Sequence, residues 1–141
     1  GRKRYPATKA IHITADSGGS NAARSRIWKA QLQAFADKYG ITVSVSHFPP
    51  GTSKWNKIEH RLFSFITINW RGRPLRTFET VVSLIGATTT RAGLVVRATL
   101  DGRKYPLGEQ VSDAEMESLN LLRDSFHGDW NYTIGPRAKA A

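Results

Sequence analysis

IHITADSGGSN, residues 11–21, is the stretch on which the reading of the fold turns. Ile11, Ile13 and Ala15 alternate with His12, Thr14 and Asp16, the period of a half-buried strand. Gly18 and Gly19 then open a turn. Residues 25–40 follow with Trp28, Leu32, Phe35 and Tyr39 on one helical stripe and Gly40 placed to end it. Residues 41–48 alternate again, Ile41, Val43 and Val45 against Thr42, Ser44 and Ser46. Strand, helix, strand in that order predicts a crossover unit with parallel pairing, and so an α/β class.

Outward from this unit, Pro49-Pro50-Gly51 marks a loop, and residues 57–70 are too long and too apolar for a strand and predict a buried helix. Residues 71–74, RGRP, break it. Thr77 is the expected N-cap of a helix carrying Phe78, Val81, Val82 and Ile85 and stopped by Gly93. Residues 94–108 carry a hairpin signal with Asp101-Gly102 as the turn. Ser112 and Glu115 form a capping box ahead of a further helix, and an aromatic segment, 126–136, closes the chain. The expected organisation is a basic arm or truncated element over 1–10, a body over 11–135 and a frayed tail over 136–141. The expected fold is a mixed sheet flanked by helices, with a C-terminal hairpin and helix.

The chain has 141 residues, one domain's worth, enough to bury roughly 70% of the surface exposed when unfolded. It contains no cysteine, which excludes a disulfide framework and thiolate metal sites and fits a cytoplasmic setting. It shows no signal peptide and no apolar run long enough to span a membrane. It begins with Gly rather than Met, which reads as a piece of a longer protein. The net charge of +10 points to a polyanionic partner, and nucleic acid fits better than a membrane because no segment is a basic amphipathic helix.

Three side chains carry the candidate chemistry. Asp-Ser-Gly-Gly surrounds the nucleophile of trypsin-type proteases, but His12 is the only histidine before Ser17 and the chain is too short for two β-barrels, so Ser17 reads as a turn residue. Asp16 has two readings. It either closes an Asx-turn on the glycines or works as a carboxylate at the strand end, where α/β sheets bind ligands. Glu59 also has two. It forms a capping box with Asn56, or it heads an apolar stripe of Leu62, Phe63, Ile66 and Trp70 and points inward. A carboxylate aimed inward needs a partner, either a divalent cation or a neighbouring basic side chain, and two carboxylates sharing one site would suit Mg²⁺ or Mn²⁺.

Residues 15–21 (ADSGGSN), 47–64 (HFPPGTSKWNKIEHRLFS), 67–75 (TINWRGRPL), 87–94 (ATTTRAGL), 111–116 (VSDAEM) and 126–134 (FHGDWNYTI) resemble the DDE transposases of the Rhodopirellula type. These are bacterial insertion-sequence transposases with a ribonuclease-H-like catalytic core, and the resemblance covers nearly the whole chain after residue 10. It implies that Asp16 and Glu59 are the second and third acidic residues of the triad, that Mg²⁺ or Mn²⁺ is the cofactor, and that DNA, as transposon ends and target, is the partner of an oligomeric assembly. It implies two-metal phosphoryl transfer without a covalent protein intermediate. The first triad Asp has no counterpart before Asp16, so the chain is expected to be inert by itself. Non-catalytic nucleic-acid binding and a nuclease without strand transfer are the alternatives.

Around Glu59, Lys54, Lys57 and Arg61 suit either phosphate contact or a solvated helix start. Trp55 either stacks on DNA or packs on the core. Arg71, Arg73 and Arg76 form the best exposed basic cluster for backbone contact. His60 reads as structural or as a support to the carboxylates rather than a general base, His47, just before Pro49-Pro50, could face the site, and Asp129 with His127 is a rival acidic site set among aromatics.

Overall fold

The computed structural model describes residues 3–105 and 108–138 and resolves into two compact units, Gly1–Asn56 with Leu107–Ala141, and Lys57–Pro106.

In the first unit the strand–helix–strand expectation holds. Strand β1 (Ala10–Ala15) pairs in parallel with β2 (Thr42–His47), with Ile11 opposite Val43, Ile13 opposite Val45 and Ala15 opposite His47. Between them runs α1 (Arg26–Tyr39). The Ser25 hydroxyl accepts from the Trp28 amide at 3.2 Å to begin it, and Gly40 ends it in the left-handed region at φ 61, ψ 41. Only glycine takes that conformation without steric cost. The buried face of α1 is Lys29, Leu32, Gln33 and Ala36, so the expected stripe is rotated: Leu32 is in the core, Trp28 and Tyr39 flank it, and Phe35 is exposed. The rotation follows from Gln33, whose amide donates to the Gly135 carbonyl (2.9 Å) and to Asp37 (2.8 Å) and accepts from the Asn120 amide (2.7 Å). A polar residue is buried here because each of its groups is satisfied.

The sheet is completed by the closing segment. It forms β4 (Asn131–Ile134), antiparallel to β2 and to β3 (Leu121–Arg123), giving a mixed sheet in the order β1-β2-β4-β3. The antiparallel closing pair is therefore β3–β4, and the expected hairpin about Asp101-Gly102 is absent among the described residues. Asp101 instead turns back to bind the Arg103 guanidinium and the Tyr105 hydroxyl, and the 94–105 segment is irregular apart from a bridge of Val95 to Thr89. The capping box at Ser112 and Glu115 is present but opens only a short helix, α4 (Asp113–Glu117). Leu32, Ala36, Ile41, Val43, Val45, Tyr132 and Ile134 form the core. Residues 139–141 of the expected tail lie outside the described residues.

In the second unit α2 (Lys57–Trp70) packs on α3 (Phe78–Gly86), and the Asn69 amide donates to the Leu84 carbonyl. Thr77 caps α3 as expected, but the helix ends at Gly86 rather than running to Gly93. Nor is α2 buried: of its residues only Ile66 is, while Phe63 (51%) and Ile58, Phe65 and Ile68 are exposed, as is Glu59. Its apolar residues are spread around the helix, and a unit this small has too little interior to cover them all.

Gln33→Leu tests the clasp between α1 and the strand ends. It strands the Asn120 amide and the Gly135 carbonyl, so urea denaturation should show a loss of about 1–3 kcal/mol. An unchanged midpoint would contradict the clasp.

Candidate active site

Asp16 is the first residue beyond β1, beside the end of β2, where the Phe48 amide still donates to the Ala15 carbonyl at 2.8 Å. From here the two strands part into glycine- and proline-built loops. Gly19 (φ 70) and Gly51 (φ 77) take left-handed turns, and Thr52 ties back to the Pro49 carbonyl through its amide (3.1 Å) and hydroxyl (2.6 Å). A recess of about 250 Å³ opens between the loops, lined by Asp16, Ser17, Gly18, Pro49, Pro50 and Gly51. The Ser17 hydroxyl donates to the Phe48 carbonyl, so it joins the two loops and is not poised as a nucleophile.

The Asp16 carboxylate makes no Asx-turn. Its Oδ1 is buried and, alone among the buried side-chain nitrogens and oxygens of the described residues, has no hydrogen-bond partner. A buried oxygen left in that state costs about 1–3 kcal/mol, more if charged, unless a cation or proton meets it.

What holds Asp16 is a relay of buried polar groups. Trp28 Nε1 donates to the Tyr132 hydroxyl at 3.0 Å. An indole can only donate, so the Tyr132 hydrogen is free to go to His47 Nε2, 3.0 Å away. The His47 proton is then on Nδ1, which donates to the Asp16 backbone carbonyl at 3.4 Å. Burial pushes the His47 pKa below its ordinary 6.5; the bond to Asp16 pulls back and Lys29 adds to the lowering. Burial also raises Tyr132 to about 12, against a smaller pull from Trp28. Both therefore stay neutral at pH 7, as the relay requires. The histidine was legible as a core position, since Val43, Val45 and His47 share one face of β2; its partner Tyr132 was not, because it arrives from the far end of the chain.

The other candidates are distributed over both units. Lys54 and the exposed Trp55 lie in a short 3₁₀ turn, Ser53–Trp55, of the first. Lys57, Glu59 and Arg61 head α2 in the second, all exposed, with His60 beside them. The inward aim expected for Glu59 is thus corrected to an exposed position in the first helical turn. Arg71, Arg73 and Arg76 are exposed on the α2–α3 connection. Asp129 is exposed and paired with Arg123 at 2.6 Å, while His127 stacks on Trp130, so the rival acidic site is engaged in structure. No group of three or more His, Asp or Glu among the described residues is placed to hold a metal.

The family model for the Rhodopirellula transposase DDE domain matches residues 1–136. The chain belongs to this family of transposase DDE domains. No curated protein and no solved structure matches it. DDE transposase domains normally use a divalent metal, and the mixed α/β sheet accords with a partial ribonuclease-H-like core. Asp16 offers a hard oxygen donor, Oδ1, that is buried, unpartnered and on a residue lining a recess, the kind of group a divalent cation takes as a ligand. No helix among the described residues is long and apolar enough to cross a membrane.

The relay gives a pH signature. The unfolded chain takes up the His47 proton near pH 6.5, whereas the folded chain resists it, so the stability that depends on neutral His47 is complete above 6.5 and is lost as pH falls toward the lower folded value. Denaturant titrations from pH 8 to 5 should show wild type weakening below 6.5 and His47→Gln with a flatter profile. Identical slopes would contradict the relay.

Proposed function

We propose that this domain performs metal-dependent cleavage and joining of DNA strands at the ends of a mobile element, with Asp16 and Glu59 as the second and third carboxylates of its triad. The observation that carries the reading is the buried, unpartnered Oδ1 of Asp16 at a strand end in a chain of net charge +10. Carboxylate oxygens are the ligands Mg²⁺ and Mn²⁺ prefer. Such a cation, held by these carboxylates, would stabilise charge on the attacking and leaving oxygens of an in-line displacement at phosphorus.

The remaining work falls to the chain's own residues. His47 fixes the Asp16 backbone, and Ser17, bonded to Phe48, stays out of the chemistry, so no covalent protein intermediate forms. Lys54, Lys57 and Arg61 contact phosphates near the carboxylates, Trp55 stacks on a base or DNA end, and Arg71, Arg73 and Arg76 hold the backbone farther out. The active assembly is an oligomer on DNA. With Asp16 as its first acidic residue, the 141-residue chain by itself lacks one carboxylate of three and does not cut DNA. A second reading, a nucleic-acid-binding domain without catalysis, draws on the absence of a three-ligand cluster among the described residues.

Thermal melts with Mn²⁺ separate the two. At a hundredfold excess over Kd, Mn²⁺ should stabilise wild type by about 2.7 kcal/mol. Asp16→Asn should abolish that gain and be more stable than wild type without metal. An equal Mn²⁺ response in Asp16→Asn would remove Asp16 from the metal site. Nicking of DNA by this chain with Mg²⁺, lost on Asp16→Asn, would overturn the claim that the chain alone is inert.

A further inference from the structure

Lys29 is the least expected feature of the first unit. It lies on the inner face of α1, only 5% exposed, with its ammonium 5.4 Å from the centre of the Tyr132 ring. The ion pairs among the described residues join Arg26 to Asp113, Arg103 to Asp101, Arg123 to Asp129 and Arg137 to Asp37, and none includes Lys29. Its stem is buried while its nitrogen, unlike Asp16 Oδ1, is not among the buried unpartnered atoms, so the amine reaches the surface with no carboxylate in ion-pair contact. Burial lowers the Lys29 pKa, and Arg123 and Arg26 lower it further against a pull from Asp129.

Lys29 lines a recess of about 500 Å³ together with Arg24, Arg26, Arg123, Asp129 and Trp130. The carboxylates paired with Arg123 and Arg26 are themselves exposed, 91% for Asp129 and 82% for Asp113, so water and salt screen those pairs and an incoming anion can displace them. This recess does not stand alone. A second, of about 310 Å³, shares Ala23, Arg24 and Trp130 with it, and shares Ser17 and Pro50 with the Asp16 recess. Through these shared residues the three recesses adjoin in a row, a trough with Asp16 in the first and Lys29 in the last.

We infer that the Lys29 recess is a phosphate-binding subsite for a polynucleotide backbone that runs along this trough from Asp16. The inference rests on the reading of DNA as substrate and adds a contact on α1 to the basic residues already named between 54 and 76. A free phosphate would need only the Lys29 end. A trough that also reaches a carboxylate fits a chain of linked phosphates, held at one end and presented at the other.

The test is anisotropy of a fluorescein-labelled DNA duplex with the full chain in EDTA, across a salt series. Lys29→Met keeps the buried stem and removes the charge; Lys38→Met, at the exposed end of the same helix, is the control of equal net charge. Lys29→Met should weaken binding about tenfold or more, the worth of one charge-assisted hydrogen bond, and flatten the salt dependence by about one phosphate contact. Lys38→Met should change affinity by less than about twofold. Thermal melts in phosphate against chloride at equal ionic strength should show phosphate stabilising wild type and not Lys29→Met. Equal losses in the two variants would overturn the subsite. Phosphate stabilisation without any DNA binding would overturn its assignment to a polynucleotide. Because no metal is present, the Lys29 result is independent of whether Asp16 holds one.

Discussion

The hydrogen bond from the Tyr132 hydroxyl to His47 Nε2 is 3.0 Å long and buried, and it joins neighbouring strands, β4 and β2, that are far apart in the sequence. Its direction is set from outside: Trp28 can only donate to the tyrosine oxygen, so the tyrosine must donate to the histidine and the histidine to the Asp16 carbonyl. Each bond adds only about 1 kcal/mol, but an unmade one in the interior costs more, so the set is cooperative in effect. It couples α1, β4 and β2 to the last turn of backbone before the recess. Packing of the core and placement of the Asp16 carboxylate are thus one constraint.

Much of the first unit was legible from periodicity because its signals are local. Alternation placed β1 and β2, Gly40 marked the end of α1, and Ser112-x-x-Glu115 announced a capping box. What was hidden depends on partners distant in sequence. Gln33 and Lys29 face inward, where a hydrophobic pattern does not look for them, because Asn120, Gly135 and the Tyr132 ring come to meet them. Strands β3 and β4 are too short to alternate convincingly, and Asp101-Gly102 lost its hairpin to a local bond with Arg103. The site divides in the same way. Asp16 could be read as a strand-end carboxylate, but its orphaned oxygen and the histidine bracing its backbone are tertiary facts. Glu59 was correctly set in the first turn of a helix, while its inward aim presumed a one-sided apolar stripe that α2 does not have.

Charge organises the first unit around one contrast. Among the described residues a strongly basic chain sets one buried, unpartnered carboxylate oxygen, that of Asp16, in one recess, and the largely buried Lys29, which enters no ion pair, in another. The unpartnered Asp16 oxygen is destabilising in isolation, and on the proposed reading the two recesses answer to the cation and the phosphate backbone of one ligand. Stability given up at Asp16 is the form that preorganisation for such a ligand would take.

The most direct measurement is anomalous scattering from a crystal of this chain grown with Mn²⁺. The account predicts a manganese peak within bonding distance of Asp16 Oδ1, with His47 Nδ1 still on the Asp16 carbonyl. A structure in which Oδ1 is hydrogen-bonded within the protein, with no metal beside it, would contradict the account.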